Sequence, residues 1–193
     1  MTDLNAYTGT WTIDAAHSSI GFVARHAVVS KVRGRFDVYS SEITLDGANV
    51  AASKISFKAD AASITTGNEQ RDGHLKSADF LDVENFPTVD FTSTAVAQTG
   101  DNTFTLTGDL TIHGVTKPVT VEFEANGVAE AFGTVKAGFE GTATISRKEW
   151  GLVWNAPLET GGLLVSDNIN LVIELEVDKV VATADAETAS ASA

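Results

Sequence analysis

The side chains that could take part in acid–base or metal chemistry are few in this chain and widely spaced. Its four histidines are His17, His26, His74 and His113. Imidazole is both the commonest metal ligand and the side chain that titrates near neutral pH. No two of these histidines have the HExxH spacing of a helical zinc site. The spacing therefore predicts neither a catalytic nor a metal site.

Other reactive groups are missing or lack a recognisable pattern. The chain has no cysteine, which excludes disulfides, thiolate catalysis and cysteine-ligated metals. It contains no GxSxG elbow, phosphate-binding loop or dinucleotide fingerprint. Scattered serine, aspartate and histidine side chains could still converge in space, but the sequence predicts no cofactor.

Two groups of charged residues are candidates for a polar contact. Arg71, Asp72 and His74 can share one face of a short helix, which favours bracing of that segment by a charge-assisted hydrogen bond over binding of a ligand head group. Arg147 follows a long predicted strand and could meet an anionic head group there, although Glu149 offers it a local partner.

The elements that must position these residues are β-strands, because apolar and polar residues alternate with period two along most of the chain. Turn residues at 113–118 and at Asn126-Gly127 separate some of the strands. His26 continues the parity of the first strand and is a candidate inward polar contact. The eight predicted segments carry these apolar residues on one face: Ile20, Phe22, Ala24; Gly34, Phe36, Val38; Ile55, Phe57, Ala59; Val89, Phe91, Ala95; Phe104, Leu106, Leu110, Ile112; Val119, Val121, Phe123, Ala125; Val135, Ala137, Phe139, Ala143, Ile145; Ile169, Leu171, Ile173, Leu175, Val177.

The alternation breaks between residues 64 and 87. Thr66 and Glu69 have the spacing of a capping box, in which each side chain satisfies a backbone amide of the other residue. A short helix is predicted to begin there, and Pro87 ends the insert before the next strand. We expect this insert to act as a lid.

Length and charge narrow the possible functions. The 193 residues suit one domain, with residues 10–179 as its body, residues 1–9 as a flexible N-terminus and residues 180–193 as a disordered tail. The net charge of −13 argues against nucleic-acid binding. No stretch is long and apolar enough to cross a membrane, and the N-terminus lacks a secretory leader, so a cytoplasmic protein is expected.

Strands with one apolar face and so little helix must pack on each other as a sandwich or a barrel. A barrel of about eight strands can be filled by side chains or can hold one small ligand. Phenylalanines and small residues share the inward face, as at Phe22 and Ala24 or at Phe139 and Gly141. This mixture fits a tapered filled barrel and a hollow one equally well.

Six runs, in order, resemble the YceI-like polyisoprenoid-binding family. They are HSSIGF at 17–22, VRGRF at 32–36, RDGHL at 71–75, FPTVDFTS at 86–93, GDLTIHGVTKP at 108–118 and RKEWG at 147–151. The similarity extends from Thr10 to Val177. Each motif alone is unremarkable, but six at consistent spacing make a specific match.

The resemblance implies an all-β, extended, antiparallel, eight-stranded lipocalin-like barrel with a short helical insert acting as lid. It implies a carrier whose lumen takes a long isoprenoid, such as a polyprenyl phosphate or a quinone tail, and not an enzyme. Many relatives have a secretory signal and act in the periplasm, whereas this sequence has none.

The predicted partner is therefore an isoprenoid lipid or a similar amphiphile. Two alternatives remain: an enzyme acting on an apolar substrate with His26 or His74 as base, and a filled-barrel structural or stress-related module. Pairing of strand edges also leaves a homodimer open. The predicted ligand-binding residues are Phe22, Phe36, Phe57, Phe91, Leu110, Ile112, Phe123, Phe139, Ile145, Trp150, His26, Arg71, His74 and Arg147.

Overall fold

The computed structural model describes residues 2–159 and 161–181. In this part of the chain no helix is long and apolar enough to cross a membrane. Short 3-10 turns occupy Leu4–Tyr7, Val50–Ala52, Ala61–Ser63 and Arg147–Trp150, and the one α-helix described, α1, is Glu69–Lys76. The strands are β1 (Gly9–Ile13), β2 (Ser19–His26), β3 (Ser30–Phe36), β4 (Tyr39–Leu45), β5 (Lys54–Asp60), β6 (Ile64–Thr65), β7 (Thr88–Gln98), β8 (Thr103–Ile112), β9 (Val115–Ala131), β10 (Thr134–Ser146) and β11 (Val165–Lys179).

The strands form one antiparallel sheet that closes into a barrel. The order β1-β4-β5-β7-β8-β9-β10-β11 returns to its start because β11 also pairs with β1. β11 pairs with β2 over most of its length and with β1 only at its last residues. β1 and β2 therefore share one position in the wall, and β3 and β4 share the next. The barrel thus has eight strand positions, which confirms the predicted fold.

Three strands, the two-residue β6 together with β1 and β4, are not among the predicted segments. β1 is only five residues long, and β4 places Ser41 between the inward-facing Tyr39 and Ile43, so neither gives a clean apolar alternation. The predicted number of eight is still right because β1 continues into β2 and β3 continues into β4 across short breaks.

The predicted turns need two corrections. The β8–β9 turn is tighter than the predicted 113–118, since Val115 already pairs with Ile112 across a turn whose two residues have positive φ. Asn126-Gly127 is not a turn. Gly127 lies inside β9 with φ 136°, where the pairing with β10 changes register, so this glycine forms a bulge. The β9–β10 turn lies at residues 132–133.

The connections place the barrel's two ends in different surroundings. The helical end carries the β2–β3 turn, α1 and the connection 147–164, while the N-terminal end carries Leu4–Tyr7 and the β9–β10 turn. α1 is confirmed, but its N-cap is Asn68, whose side chain accepts a hydrogen bond from the Arg71 amide. The predicted capping box at Thr66 is therefore wrong. Thr66 lies two residues before the N-cap, and its amide and hydroxyl donate to the Asp72 carboxylate instead.

The structure also differs from the expectation of a flexible segment before residue 10. Leu4–Tyr7 form a 3-10 turn over the N-terminal end, and Tyr7 is buried. The indole Nε1 of Trp11 donates a hydrogen bond to the Tyr7 carbonyl at 2.7 Å, which fixes this segment to β1. Of the predicted disordered tail, residues 182–193 lie outside the described residues.

Candidate ligand-binding lumen

The larger cavity of the barrel lies toward the helical end and measures about 250 Å³. Its walls come from nearly every strand and from the connection 147–164, and they are apolar except at Arg147. The barrel is thus hollow, as the resemblance implies. Ten of the predicted site residues line this cavity: Phe22, Phe36, Phe57, Phe91, Leu110, Ile112, Phe123, Ile145, Trp150 and Arg147.

A smaller cavity of about 120 Å³ lies toward the N-terminal end. Phe139, also a predicted site residue, lines it together with Leu4 and Tyr7. Sequence reasoning missed Leu4 and Tyr7 because it treated their segment as flexible. The two cavities lie end to end along the lumen and share four side chains from β5, β8, β9 and β11: Ile55, Leu106, Phe123 and Leu175. These four residues form a constriction between the cavities.

Glycines opposite phenylalanines explain why so many aromatic residues leave the lumen open. Phe123 lies directly across from Gly141, and a Cβ built on Gly141 would come within 2.5 Å of the Phe123 ring. Phe22 covers Gly34 and Phe91 covers Gly108 at similarly short distances. Each ring therefore lies against the backbone of a neighbouring strand, so it covers the wall instead of filling the centre.

The helical end is closed by contacts between α1 and the connection 147–164. The imidazole of His74 packs edge-on against Phe80 and Trp154, with ring centroids 5.0 and 4.5 Å apart. His74 Nε2 also lies 2.8 Å from Asp79 Oδ2. These contacts place the predicted lid over the larger cavity, but they put the imidazole of His74 among lid residues and not on the cavity wall.

The loop before α1 is held by its own polar network. The Asp72 carboxylate accepts hydrogen bonds from the Thr66 amide and from the Thr65 and Thr66 hydroxyls, and Arg71 donates to the Thr66 hydroxyl and carbonyl. Burial by itself would raise the pKa of Asp72, but the hydrogen bonds from Thr66 and Thr65 outweigh it and lower that pKa. Arg71 therefore supports the lid and does not line either cavity.

Arg147 is 3 % exposed and fastens the connection 147–164 to the barrel. Its guanidinium donates to the carbonyls of Leu152, Trp154 and Ser166, the last at 3.0 Å. Its remaining nitrogen, Nη2, lies 3.6 Å from the Asp167 carboxylate. Burial lowers the pKa of Arg147, and the charge of Asp167 opposes this effect. Three of its five N–H groups are thus bonded to carbonyls, whereas Nη2 is buried without a hydrogen-bond partner.

The remaining histidines lie away from the cavities. His26 ends β2 and is exposed, so the structure does not place it as an inward contact. His26 is the last residue of β2, next to the hairpin turn, and is paired there with Ser30 and Val165. His113 lies in the β8–β9 turn and packs against Phe86, with ring centroids 4.5 Å apart.

A cluster of charges lies on the outside of the barrel at the break between β1 and β2. His17 Nδ1 is 2.8 Å from Asp14 Oδ2 and 3.7 Å from Glu176 Oε1. These three side chains are close enough to share a metal ion. However, the Lys136 ammonium lies 2.7 Å from Glu176 and 3.4 Å from Asp14, and it already supplies the positive charge. We interpret the cluster as an ion-pair network that closes the seam of the barrel.

This network predicts that stability depends on pH through His17. Hydrogen bonding to Asp14 raises the pKa of His17, and the bond from His17 lowers the pKa of Asp14 to about 2. His17 therefore contributes its full share to the free energy of unfolding below about pH 6.5, the ordinary pKa of histidine. This contribution is lost as pH rises through the raised pKa of His17 in the folded protein. That of Asp14 is lost only as pH falls toward about 2. Urea unfolding between about pH 6 and about pH 9 should show the free energy of unfolding decreasing with pH.

His17→Gln should flatten that dependence, because the titrating group is gone while Lys136 still neutralises the carboxylates. His26→Gln is the matched control, since His26 is exposed and has no ion pair among the described residues. An equal slope in the wild type and in His17→Gln would contradict the assignment.

A closed antiparallel barrel with an apolar, ligand-sized lumen and a helical lid defines a lipocalin-like binding protein. The YceI-like domain family matches residues 11–177, and the chain belongs to this family. A UPF0312 protein of Vibrio vulnificus is 39 % identical over 138 residues, which are 71 % of this chain and 73 % of that protein.

Solved structures agree with this assignment. BcnA of Burkholderia cenocepacia has a TM-score of 0.73 and 26 % identity over 85 % of this chain and 98 % of its own. A polyisoprenoid binding domain from Saccharophagus degradans, implicated in plant cell wall breakdown, has a TM-score of 0.65 over 88 % of this chain and 98 % of its own. Its identity is 17 %, so this likeness concerns the fold.

Proposed function

We propose that this protein binds and carries an amphiphilic isoprenoid of the polyprenyl phosphate or quinone type in its lumen, without catalysis and without a cofactor. The observation that carries the proposal is the apolar lumen, formed by two cavities in line. Membership of the YceI-like family and the polyisoprenoid binding described for the Saccharophagus domain support it.

An apolar chain suits this lumen on energetic grounds. Each Å² of apolar surface removed from water contributes about 25 cal/mol, so a long chain can bind tightly without directional contacts. The chain would follow the lumen past the constriction at Phe123 and contact the walls of both cavities. Chain-length preference would then depend on how far the constriction opens.

The polar groups of the lumen favour a neutral head group over a phosphate. Among the described residues, Arg147 is the one basic residue that lines either cavity, and it is bonded to three carbonyls and faces Asp167. At the N-terminal end Asp46 would repel an anion. The Tyr7 hydroxyl there is buried without a hydrogen-bond partner, so it can donate to a carbonyl of the quinone type.

The enzymatic alternative receives no support from the two histidines considered as bases. His26 is exposed at a hairpin, and His74 is engaged by Asp79 and Trp154 in the lid. Neither lines a cavity. A general base must come within hydrogen-bonding reach of its substrate, so carriage suits this site better than turnover.

The direct test is mass spectrometry of organic extracts of the purified protein, followed by titration of the delipidated protein with prenyl alcohols and prenyl quinones. We expect a stoichiometric lipid and saturable uptake. Ala24→Phe should weaken uptake at least about tenfold, because Ala24 lines the larger cavity and the added ring would occupy it.

Val23→Phe is the matched control, because Val23 is the neighbouring residue on β2 and has the opposite, outward parity. It should leave uptake unchanged. The proposal would be contradicted if the extract contains no lipid and the delipidated protein takes up no prenyl ligand on titration.

A further inference from the structure

The hairpin of β2 and β3 differs in charge from the rest of this acidic protein. Residues 19–36 contain four of the thirteen basic residues of the chain and none of its 26 acidic ones. The four basic residues occupy odd-numbered positions and are all exposed, while Phe22 and Gly34 at even positions face the lumen. The outer face of this hairpin is therefore a continuous basic strip on the barrel wall.

Within this strip, two cations stand directly opposite each other. Arg25 and Lys31 are cross-strand partners, and like charges in that arrangement destabilise a sheet. Neither they nor Arg33 form an ion pair with any described residue, whereas Arg35 bonds to Asp37 at 2.7 Å. The hairpin thus presents three cations that form no ion pair within the described part of the chain.

The tip of the same hairpin is apolar and strained. Val28 and Val29 are 75 % and 86 % exposed. Ala27 and Val28 have φ of 50° and 63°, a conformation that suits asparagine or glycine and is rare for a β-branched residue. Such backbone strain lowers stability and is typical of functional segments. An exposed valine held in this conformation is better explained by a partner than by folding.

The hairpin tip belongs to the helical end, beside the larger cavity. The Ala27 amide donates to the Leu164 carbonyl at 2.7 Å, which joins the tip to the connection 147–164. That connection exposes two further apolar residues, Val153 and Leu163. Phe22 and Ala24 of β2 line the cavity itself. A surface that engages the tip would therefore lie next to the lid.

We propose that the β2–β3 hairpin docks this protein on an anionic lipid bilayer, with Val28 and Val29 inserted at the interface and Arg25, Lys31 and Arg33 against the head groups. Basic side chains combined with apolar tips are what such an interface binds. Docking there would bring the lid to the membrane. The inference extends the proposed carriage of a lipid, but binding to vesicles can be measured without any prenyl ligand, so the two proposals can fail separately.

The N-terminal end of the barrel also has an exposed apolar turn, but its surroundings are acidic. Phe132 in the β9–β10 turn is fully exposed and has φ 53°. The residues around that turn and its neighbouring loops include Glu130, Asp101 and Asp3. An apolar tip in acidic surroundings would be repelled by an anionic surface, so the proposal assigns docking to the β2–β3 hairpin, which has no acidic residue, and not to the neighbouring insert, which carries Asp79, Asp82 and Glu84.

The test is co-flotation of the delipidated protein with vesicles of phosphatidylcholine, or of phosphatidylcholine in which part is replaced by phosphatidylglycerol. We expect binding to the anionic vesicles only, weakened by added salt. Arg25→Gln with Lys31→Gln should lower the partition coefficient about tenfold or more, since each basic residue near such a surface contributes several-fold. Val28→Asn with Val29→Asn should also lower it, and asparagine tolerates the φ of residue 28.

The controls carry matched changes elsewhere. Lys54→Gln with Lys58→Gln removes two exposed charges from β5, and Phe132→Asn removes the apolar tip of the other end. Both should bind vesicles as the wild type does, with all variants folded by thermal melting. The proposal is overturned if the wild type does not bind anionic vesicles or if the hairpin variants bind them as well as the controls do. It is also overturned if light scattering shows that the hairpin substitutions dissociate a dimer and have no effect on vesicle binding.

Discussion

Replacing Arg147 with methionine is expected to lower the free energy of unfolding by about 3 kcal/mol or more, because each of the three carbonyls left without its donor costs about 1–3 kcal/mol. The guanidinium is nearly inaccessible to solvent and serves the carbonyls of Leu152, Trp154 and Ser166 together. Methionine fills a similar volume but leaves these three carbonyls without their donor, while Asp167 keeps its pair with Lys148. Urea unfolding at neutral pH measures the loss.

Lys148→Met is the control for this prediction. Lys148 pairs with the same carboxylate at 2.8 Å, but its side chain is 43 % exposed, so its loss should cost no more than about 1 kcal/mol. Arg147→Lys should recover only part of the stability, because one ammonium cannot reach all the acceptors that a guanidinium serves. An Arg147→Met protein within about 1 kcal/mol of the wild type would show that the connection 147–164 is held by other contacts.

Phe123→Ala is expected to shift ligand preference toward longer isoprenoid chains by about tenfold or more in relative affinity. The ring of Phe123 belongs to the constriction that separates the two cavities. Its removal would join them, and each additional buried methylene contributes about 0.8 kcal/mol, so two are enough for a tenfold change. Titration with prenyl alcohols of increasing length gives the preference directly.

Gly141→Ala should have the opposite effect through the same ring. The three atoms nearest to a Cβ at Gly141 all belong to the Phe123 ring, the closest at 2.5 Å, so the ring must move into the lumen and narrow the passage. Gly138→Ala is the matched control on the same strand, because its Cβ would meet nothing closer than the Asn126 Cβ at 3.4 Å.

These two substitutions separate the role of the constriction from binding itself. If the wild type binds prenyl chains and both variants keep its length preference, the constriction does not set chain length, although the lumen remains the binding site. If thermal melting shows that Phe123→Ala is poorly folded, Gly141→Ala still tests the passage alone. Opposite shifts in the two variants would support a single gate at Phe123.

Much of the fold was predictable because period two is a local property of the chain. Residues such as Phe22, Phe57 and Leu110 could be assigned to one inward face from their neighbours alone. The same reasoning failed where tertiary packing overrides local pattern. Tyr7 is buried because its segment bonds to Trp11 and packs on the N-terminal end of the barrel. The sequence of the first nine residues does not predict this contact.

The apolar residues that line the two cavities were largely predictable from the sequence, but the shape of the cavities was not. Eleven of the fourteen predicted site residues line the cavities, whereas His26, Arg71 and His74 do not. These three are polar residues on a hairpin end or a helix, where strand parity gives no guide to direction. Their positions are decided by Asp79, Thr66 and the hairpin turn.

By itself the sequence determined most of the strand segments, which of their residues face inward, and which family the chain resembles. The tertiary structure alone decided that the lumen is open, because only the pairing of β9 with β10 sets Phe123 on Gly141. It likewise decided that Lys136 meets Asp14 and Glu176, and that Arg25 faces Lys31 at the hairpin. Side-chain parity is set by adjacent residues, but register and closure are set by contacts between strands far apart in the chain.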